Sequence, residues 1–253
     1  MIERVDLVKT EPRVIVTRPS PYGEQLCDIL AQHNIDSDHC PLIHFLSDLS
    51  FNTDERLELL QQNHTWIFVS RQAVNFCFEG FSAEQKASIV KLAQSKAIIT
   101  VGDATADSLA QLGIKGLIPP TPNSEGMIHM LEKYQLKEKP TLLVRGGQGR
   151  KLLQNYFSNG QLNIMPVYQR QPTEQPLPTL SSQTAIVITS GQLLELAASQ
   201  VAPEKRGTCA IIAGSQRISE LAQQMGFTIC YTAKDASNQE LVKSCLLWRN
   251  HVT

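Results

Sequence analysis

VTRPSPYGEQLCDILAQHN at 16–34 and VRGGQGRKLLQNYFSNG at 144–160 are two versions of one pattern. Each leaves a β-branched apolar run, turns through an arginine and a glycine, and enters a stretch with helical hydrophobic spacing. Arg18 aligns with Arg145 at an offset of 127, and Gly23 with Gly149 at 126. The correspondence continues in order. Pro41 of CPLIHF matches Pro166 of MPVYQR, Ser70 of FVSRQAV matches Ser190 of ITSGQLL, and Gly113 of LAQLGI matches Gly226 of LAQQMGF. Offsets that shrink slowly while order is kept describe two half-chain units, the first carrying small insertions. The plainer alternative is chance likeness among βα units.

Working outward, apolar runs recur at RVIVT (13–17), WIFVS (66–70), AIITV (97–101), TLLVR (141–145), AIVITS (185–190) and CAIIA (209–213). They are apolar at successive positions rather than at alternate ones, which suits strands covered on both faces. Helix-period stretches follow them: GEQLCDILAQHN, RQAVNFCFE, DATADSLAQLG, GRKLLQNYFSNG and SQRISELAQQMG. Alternation of this kind predicts βαβ units and a parallel sheet. The expected fold class is α/β, with two similar parallel-sheet α/β lobes joined by a two-stranded connector and an active-site cleft between them. Pro41 and Pro166 restrict 40–45 and 165–172 to extended geometry, so these segments are the expected connector strands. The first lobe then comprises 1–39 plus 173–253 and is discontinuous, while the second spans 46–164. PPTPN (119–123) and QPTEQPLPTL (171–180) read as surface connections.

Composition excludes several classes. The chain has 253 residues, 42% of them hydrophobic, with 23 Lys+Arg against 24 Asp+Glu for a net charge of -1. That is enough apolar content for a core and rules out wholesale disorder. The balance supplies no basic footprint, so no nucleic-acid partner is expected. No run approaches the roughly 18 apolar residues of a membrane span. MIERVDLVKT at the start has charges at Glu3, Arg4 and Asp6 and no apolar h-region, so a cytoplasmic protein is expected. The six cysteines (Cys27, Cys40, Cys77, Cys209, Cys230, Cys245) form no CxxC pair and read as small hydrophobes. His33, His39, His44, His64, His129 and His251 show no ligand spacing, so no metal site is expected. No GxSxG elbow surrounds Ser70 or Ser190, which leaves a hydrolase triad unsupported.

In open parallel sheets ligands bind beyond the carboxyl ends of the strands. Those positions are Thr17-Arg18, Ser70-Arg71-Gln72, Gly102-Asp103-Ala104-Thr105, Arg145-Gly146-Gly147-Gln148-Gly149, Thr189-Ser190-Gly191 and Gly214-Ser215. Glycine admits close backbone approach, and the following helix N-terminus favours negative charge, so the turns read as an anion-binding cleft. The plainer reading is that Ser, Thr and Gly are the residues helix caps prefer. RGGQGRK (145–151) fits neither GxxxxGK[ST] nor GxGxxG, but with Arg145 and Arg150 flanking it the stretch can serve as an anion nest. Tyr168, in VYQRQ, offers a phenol that can donate a proton from the second connector into the cleft, against the plainer reading of packing.

VTRP (16–19), FVSRQAV (68–74), TVGDATADSLAQLGI (100–114), PNSEGM (122–127), VRGGQGR (144–150), PVYQR (166–170) and ITSG (188–191) together resemble the uroporphyrinogen-III synthase family, in order across nearly the whole chain. The resemblance implies two α/β lobes with a two-stranded connector, the first lobe built from both chain ends. It implies a lyase that removes the terminal hydroxyl of hydroxymethylbilane, inverts the last pyrrole ring through a spiro intermediate and closes the macrocycle. No cofactor and no metal are implied. The implied substrate-binding positions are Thr17, Arg18, Ser70, Arg71, Gln72, Thr105, Ser124, Arg145, Gly146, Gly147, Ser190 and Gly191, with Tyr168 as the catalytic residue that assists hydroxyl departure. A monomer is expected, with transient contact to the preceding enzyme of tetrapyrrole biosynthesis as an option. Two departures stand out. Many members carry Gly-Pro-x-Thr after the last strand, where this chain reads AGSQRI (213–218), leaving Ser215 or Arg217 to substitute; and Arg71-Gln72 replaces smaller residues. A different class, a non-catalytic two-lobed ligand-binding or regulatory module for a small polyanion, shares the expected architecture. Such a module normally carries an export signal or a fused DNA-binding domain, and neither is read in this sequence.

Overall fold

The computed structural model describes residues 12–148, 151–157 and 160–252. From β1 (Arg13–Val16) the chain passes through α1 (Tyr22–Gln32) to β2 (Asp36–His39) and β3 (Ile43–Ser47). It continues with α2 (Thr53–Gln62), β4 (Thr65–Phe68), α3 (Arg71–Phe78), α4 (Ala83–Ala93), β5 (Ala97–Thr100), α5 (Asp103–Ala110) and α6 (Ser124–Lys133). Next come β6 (Thr141–Gly146), α7 (Leu152–Tyr156) and β7 (Leu162–Pro172). The last passage is β8 (Thr184–Ile188), α8 (Gly191–Gln200), β9 (Ala210–Ala213), α9 (Gln216–Gln224), β10 (Ile229–Thr232) and α10 (Asn238–Val252).

The strands make two five-stranded sheets, ordered β10-β9-β8-β1-β2 and β3-β7-β6-β4-β5. Pairing from β10 to β2 and from β7 to β5 is parallel. Ile99 of β5 also forms a parallel bridge to Leu117. With Leu117 standing beside β5 as β10 stands beside β9, the strand order of one sheet reproduces that of the other, and β3 is the addition. The likeness extends to single residues. Positions 65–80 and 185–200 share the same sequence of buried, half-buried and exposed residues, at the offset that aligns Ser70 with Ser190.

By contact, one compact unit holds the described residues up to His44 and from Gln171 onward; the other is Phe45–Arg170. Both boundaries fall inside β3 and β7, which are neighbours in the second sheet. Asp48 N–H donates to Val167 C=O at 3.0 Å and Thr173 N–H to Leu42 C=O at 3.0 Å, so the two strands run antiparallel.

Each central strand feeds two cores. In the first unit Val14, Val16, Ala185, Val187, Ala210 and Ile212 pack with Leu26, Leu30 and Trp248, while Ile186, Ile188, Ile211 and Ala213 pack with Leu193, Leu194 and Ile218. In the second, Trp66, Phe68, Leu142 and Val144 face Val74 and Cys77, and their in-between neighbours Ile67 and Leu143 face Met127 and Leu131. Successive side chains of a strand point to opposite faces, and helices cover both, so every position is apolar. Burial of each large side chain is worth about 1.5–3 kcal/mol. The sequence expectation of an α/β fold with parallel sheets holds.

Of the four strands outside the apolar runs, β3 and β7 fall on the expected connector segments and β2 and β10 do not. β2 reads DSDH and pairs only with β1, where Arg13 meets Asp38 at 3.0 Å. An edge strand does not need two apolar faces, and charges there discourage pairing with other chains. β10, ICYT, is the opposite edge. The helix expected over 149–160 is described only as α7; Gly149, Arg150 and 158–159 lie outside the described residues. No helix among the described residues is long and apolar enough to cross a membrane.

The cysteines are free thiols. Burial pushes Cys77 and Cys245 up to about 12 and Cys209 up to about 11. Since the thiolate is the nucleophile, neutral alkylation of the folded protein should modify half-buried Cys27 and Cys230 while sparing Cys77, Cys209 and Cys245. Peptide mapping before and after denaturation checks this; labelling of Cys77 in the folded protein would contradict the core described above.

Candidate active site

The carboxyl ends of β4, β5 and β6 in the second unit open onto a cavity of about 410 Å³. Ser70, Ser124, Arg145, Gly146 and Tyr168, all anticipated from sequence, line it. So do Gln148, from the turn already read as part of the cleft, and Asn123 and Arg170, which the sequence does not single out as site residues. An adjoining cavity of about 590 Å³ is lined by Arg145, Gly146, Gly147, Asp48 and Lys151 among others. Arg71, Gln72 and Thr105 line neither. Thr105 is 3% exposed within α5, so its hydroxyl belongs to the interior of the helix–sheet layer.

Local chemistry builds the turns. Ser70 is the N-cap of α3 and its Oγ accepts the Ala73 N–H at 3.0 Å. Asn123 caps α6 through Oδ1, which accepts the Gly126 N–H at 2.8 Å, and this makes Ser124 the first helical residue. Capping satisfies amides that no intrahelical carbonyl reaches. The cap reading and the site reading therefore coexist. A capping hydroxyl accepts from the helix and keeps its own proton for another partner.

Arg145 is 6% exposed, and its Nε–H donates to the Gly146 carbonyl at 3.1 Å. Burial pulls its guanidinium below the usual arginine range, and the negative charge of an ionised Tyr168 acts in the opposite direction. The cation is thus held next to the phenol with little water to screen it.

Tyr168, read from sequence as either a phenol reaching the cleft or a packing side chain, both packs in the core and lines the cavity. It is 3% exposed and belongs to the hydrophobic core of its unit. The cause is a bulge in the β6–β7 ladder: Arg145 pairs with Pro166, but Gly146 pairs with Tyr168, leaving Val167 as the extra residue. A bulge breaks the alternation of faces, so Val167 and Tyr168 enter the same core although they are neighbours. Proline, which has no N–H to contribute, is tolerated at such a point. The ring meets Phe45 edge-on at 5.4 Å and stacks on Phe76 at 5.7 Å. Its hydroxyl lies 3.2 Å from Ser70 Oγ at the cavity wall.

The first unit holds the remaining anticipated residues. Thr17 is fully buried and donates its hydroxyl to the Val187 carbonyl at 2.6 Å, tying β1 to β8. Arg18 donates to Asn238 Oδ1 at 2.6 Å and lies over the Tyr22 ring. Ser190 caps α8, its Oγ accepting the Leu193 N–H at 3.3 Å, and Ser215 caps α9, accepting the Ile218 N–H at 3.4 Å. Arg217 is exposed, and its Nη1 lies 4.0 Å from where a side chain on Gly191 would begin. Asn238 as the tether of Arg18 is not foreseeable, because the two are 220 positions apart. Asn123 and Arg170 do carry a signal, in the cap pattern of PNSEGM and the basic end of PVYQR. Among the described residues no group of three His, Cys, Asp or Glu side chains is placed to hold a metal ion.

The sequence profile described as Uroporphyrinogen-III synthase HemD matches residues 24–243. A uroporphyrinogen-III synthase of Escherichia coli (strain K12) is 24% identical over 246 residues, covering 91% of this chain and 98% of that protein. One from Salmonella typhimurium is 25% identical with the same coverage. Among solved structures, the uroporphyrinogen-III synthetase of Helicobacter pylori 26695 superposes with a TM-score of 0.61 at 15% identity, over 95% of this chain and 99% of that one. A mutant uroporphyrinogen III synthase from the extremely thermophilic bacterium Thermus thermophilus gives 0.60 at 10% identity, with the same coverage. At these identities the structures attest the fold alone.

Gly146 is the backbone position on which the cavity wall rests. A Cβ there would lie 2.7 Å from Tyr168 Cε2 and 2.8 Å from Cζ. Gly146→Ala should therefore displace the ring and lower stability by about 1–3 kcal/mol, as overpacking does. Chemical denaturation measures this; an unchanged midpoint would show that the ring yields freely.

Proposed function

The chain belongs to the uroporphyrinogen-III synthase family, and on that premise we propose how its residues serve the family's reaction. The protein is a cyclising lyase of tetrapyrrole biosynthesis, acting on hydroxymethylbilane to give uroporphyrinogen III with the last pyrrole ring inverted. The match across residues 24–243 carries the activity. For the site, the carrying observation is the Tyr168 hydroxyl at the wall of the 410 Å³ cavity, beside Ser70 and the buried cation of Arg145.

In our reading Tyr168 protonates the hydroxyl that leaves the bilane. The C–O bond breaks with its electron pair on oxygen, water departs, and the pyrrole nitrogen lone pair fills the vacancy to give a delocalised cation. Ring closure then needs the chain ends held at the right separation rather than a strong nucleophile. Closure returns a proton from a pyrrole α-carbon, which restores the phenol. Arg145 and Ser124 receive substrate carboxylates, with Gly146 and Gly147 leaving the backbone bare for close approach while the Gly147 N–H is held by the Tyr168 carbonyl at 2.8 Å, since an arginine with hydrogen-bonding neighbours favours anions. Arg18, Thr17, Ser190 and Gly191 serve the same purpose in the first unit. Arg217, exposed and with Nη1 4.0 Å from where a Gly191 side chain would begin, takes the place of the threonine many relatives carry there. Arg71, Gln72 and Thr105 remain substrate-binding assignments that rest on the resemblance alone.

The same reading adopts the domain scheme of the sequence, two lobes (1–39 with 173–253, and 46–164) and connectors at 40–45 and 165–172. The hydrogen-bonded neighbours β3 and β7 support the connector. A monomer in the cytoplasm belongs to the proposal as well.

Feeding enzymatically generated hydroxymethylbilane and resolving the oxidised porphyrins should yield the type III isomer; type I alone would remove the reading. Tyr168→Phe should lower kcat by about tenfold or more, general-acid assistance being worth up to ~10⁴. An unchanged kcat would take Tyr168 out of the mechanism. Arg145→Ala should act mainly on KM, raising it about tenfold or more, as expected when a charge-assisted hydrogen bond of ~1.5–3 kcal/mol is lost. A fall in kcat at constant KM would contradict carboxylate binding.

A further inference from the structure

Ser70 makes two hydrogen bonds with different geometry and different consequences. Its Oγ accepts the Ala73 N–H at 3.0 Å, which is the cap of α3. It also lies 3.2 Å from Tyr168 Oη. A hydroxyl has one proton to donate. Because the amide of Ala73 can only donate, the proton of Ser70 is free to go to the phenol oxygen. Either hydroxyl can donate in this bond; with Ser70 as the donor, Tyr168 Oη accepts and its own proton points elsewhere. Phe45 and Phe76 hold the ring on its edge and face, and the bare backbone of Gly146 lies 2.7–3.2 Å, measured from a would-be Cβ, beneath its outer edge. The ring is therefore fixed, and the hydroxyl torsion is the remaining freedom.

We propose that Ser70 is a positioning residue for Tyr168: by donating to the phenol oxygen it turns the phenol proton toward the cavity, where the bilane hydroxyl leaves. The inference rests on the reading of Tyr168 as proton donor and replaces a direct role for Ser70 in holding substrate. When the phenol gives its proton to the departing hydroxyl, the Ser70 O–H continues to donate to what is now a phenolate. A hydrogen bond to a charged oxygen is stronger than one to a neutral oxygen. The proton released at ring closure returns to that oxygen, so the pair ends as it began and no other reactant is needed.

The cap and the relay separate by substitution. Ser70→Thr keeps both roles. Ser70→Asp keeps an N-cap acceptor but has no proton for the phenol at neutral pH and draws the phenol proton to itself. Ser70→Ala loses both. We expect Ser70→Asp and Ser70→Ala to lower kcat about tenfold with KM within about twofold, and Ser70→Thr to retain most of the kcat. In a Tyr168→Phe background Ser70→Ala should cost no further kcat, because the group it positions is gone. Equal losses in both backgrounds, or a raised KM with kcat kept, would overturn the relay while leaving Tyr168 as the acid. Full kcat in Tyr168→Phe alone would overturn the acid and the relay with it. Because the Asp variant preserves the cap, loss of fold does not mask the result.

Discussion

Parallel strands cannot be joined by tight turns, and that constraint organises everything else. Each strand must be followed by a crossover, and the crossovers lie as helices on both faces of the sheet. Val14, Ile67, Leu143 and Ile186 are apolar because no face is left to water. The carboxyl edge is then the place where turns collect, and each turn there begins a helix whose first amides need acceptors. Ser70, Asn123, Ser190 and Ser215 supply them. The polar rim available for chemistry is a by-product of making parallel sheets.

Within that rim, Tyr168 belongs at once to the packed core and to the cavity wall. Its ring belongs to the same core as Trp66 and Phe68, and its oxygen stands at a cavity wall. Three features make that double membership feasible: the bulge at Pro166 and Val167, the missing side chain at Gly146, and the hydroxyl of Ser70. The near-neutral charge of the chain also gains a meaning. Under the proposed function, a substrate rich in carboxylates would be met by single cations in low-dielectric settings, such as Arg145, where one charge acts more strongly than several in open water.

Much of the fold is legible from the chain. The apolar runs at 13–17, 66–70, 97–101, 141–145, 185–190 and 209–213 all fall on strands, because burial on both faces writes an unbroken signal. β2 is not legible, since DSDH at a sheet edge carries neither apolar run nor alternation. α2 and α4 escape the reading too, their apolar stripes thin beside long polar faces. At the site, the turns can be found because each follows a strand and begins a helix. The pairing of Arg18 with Asn238 cannot, because nothing local links residues so far apart.

The sequence by itself determined the α/β class, the parallel pairing, the capped turns and the family, since all are written in short-range pattern or in ordered motifs. Tertiary structure decided which of those turns share a cavity, that Tyr168 is buried up to its hydroxyl, and that Ser70 stands beside it. The physical reason is register. One extra residue at Val167 rotates everything after it onto the other face of β7, and no local pattern around VYQR records that shift.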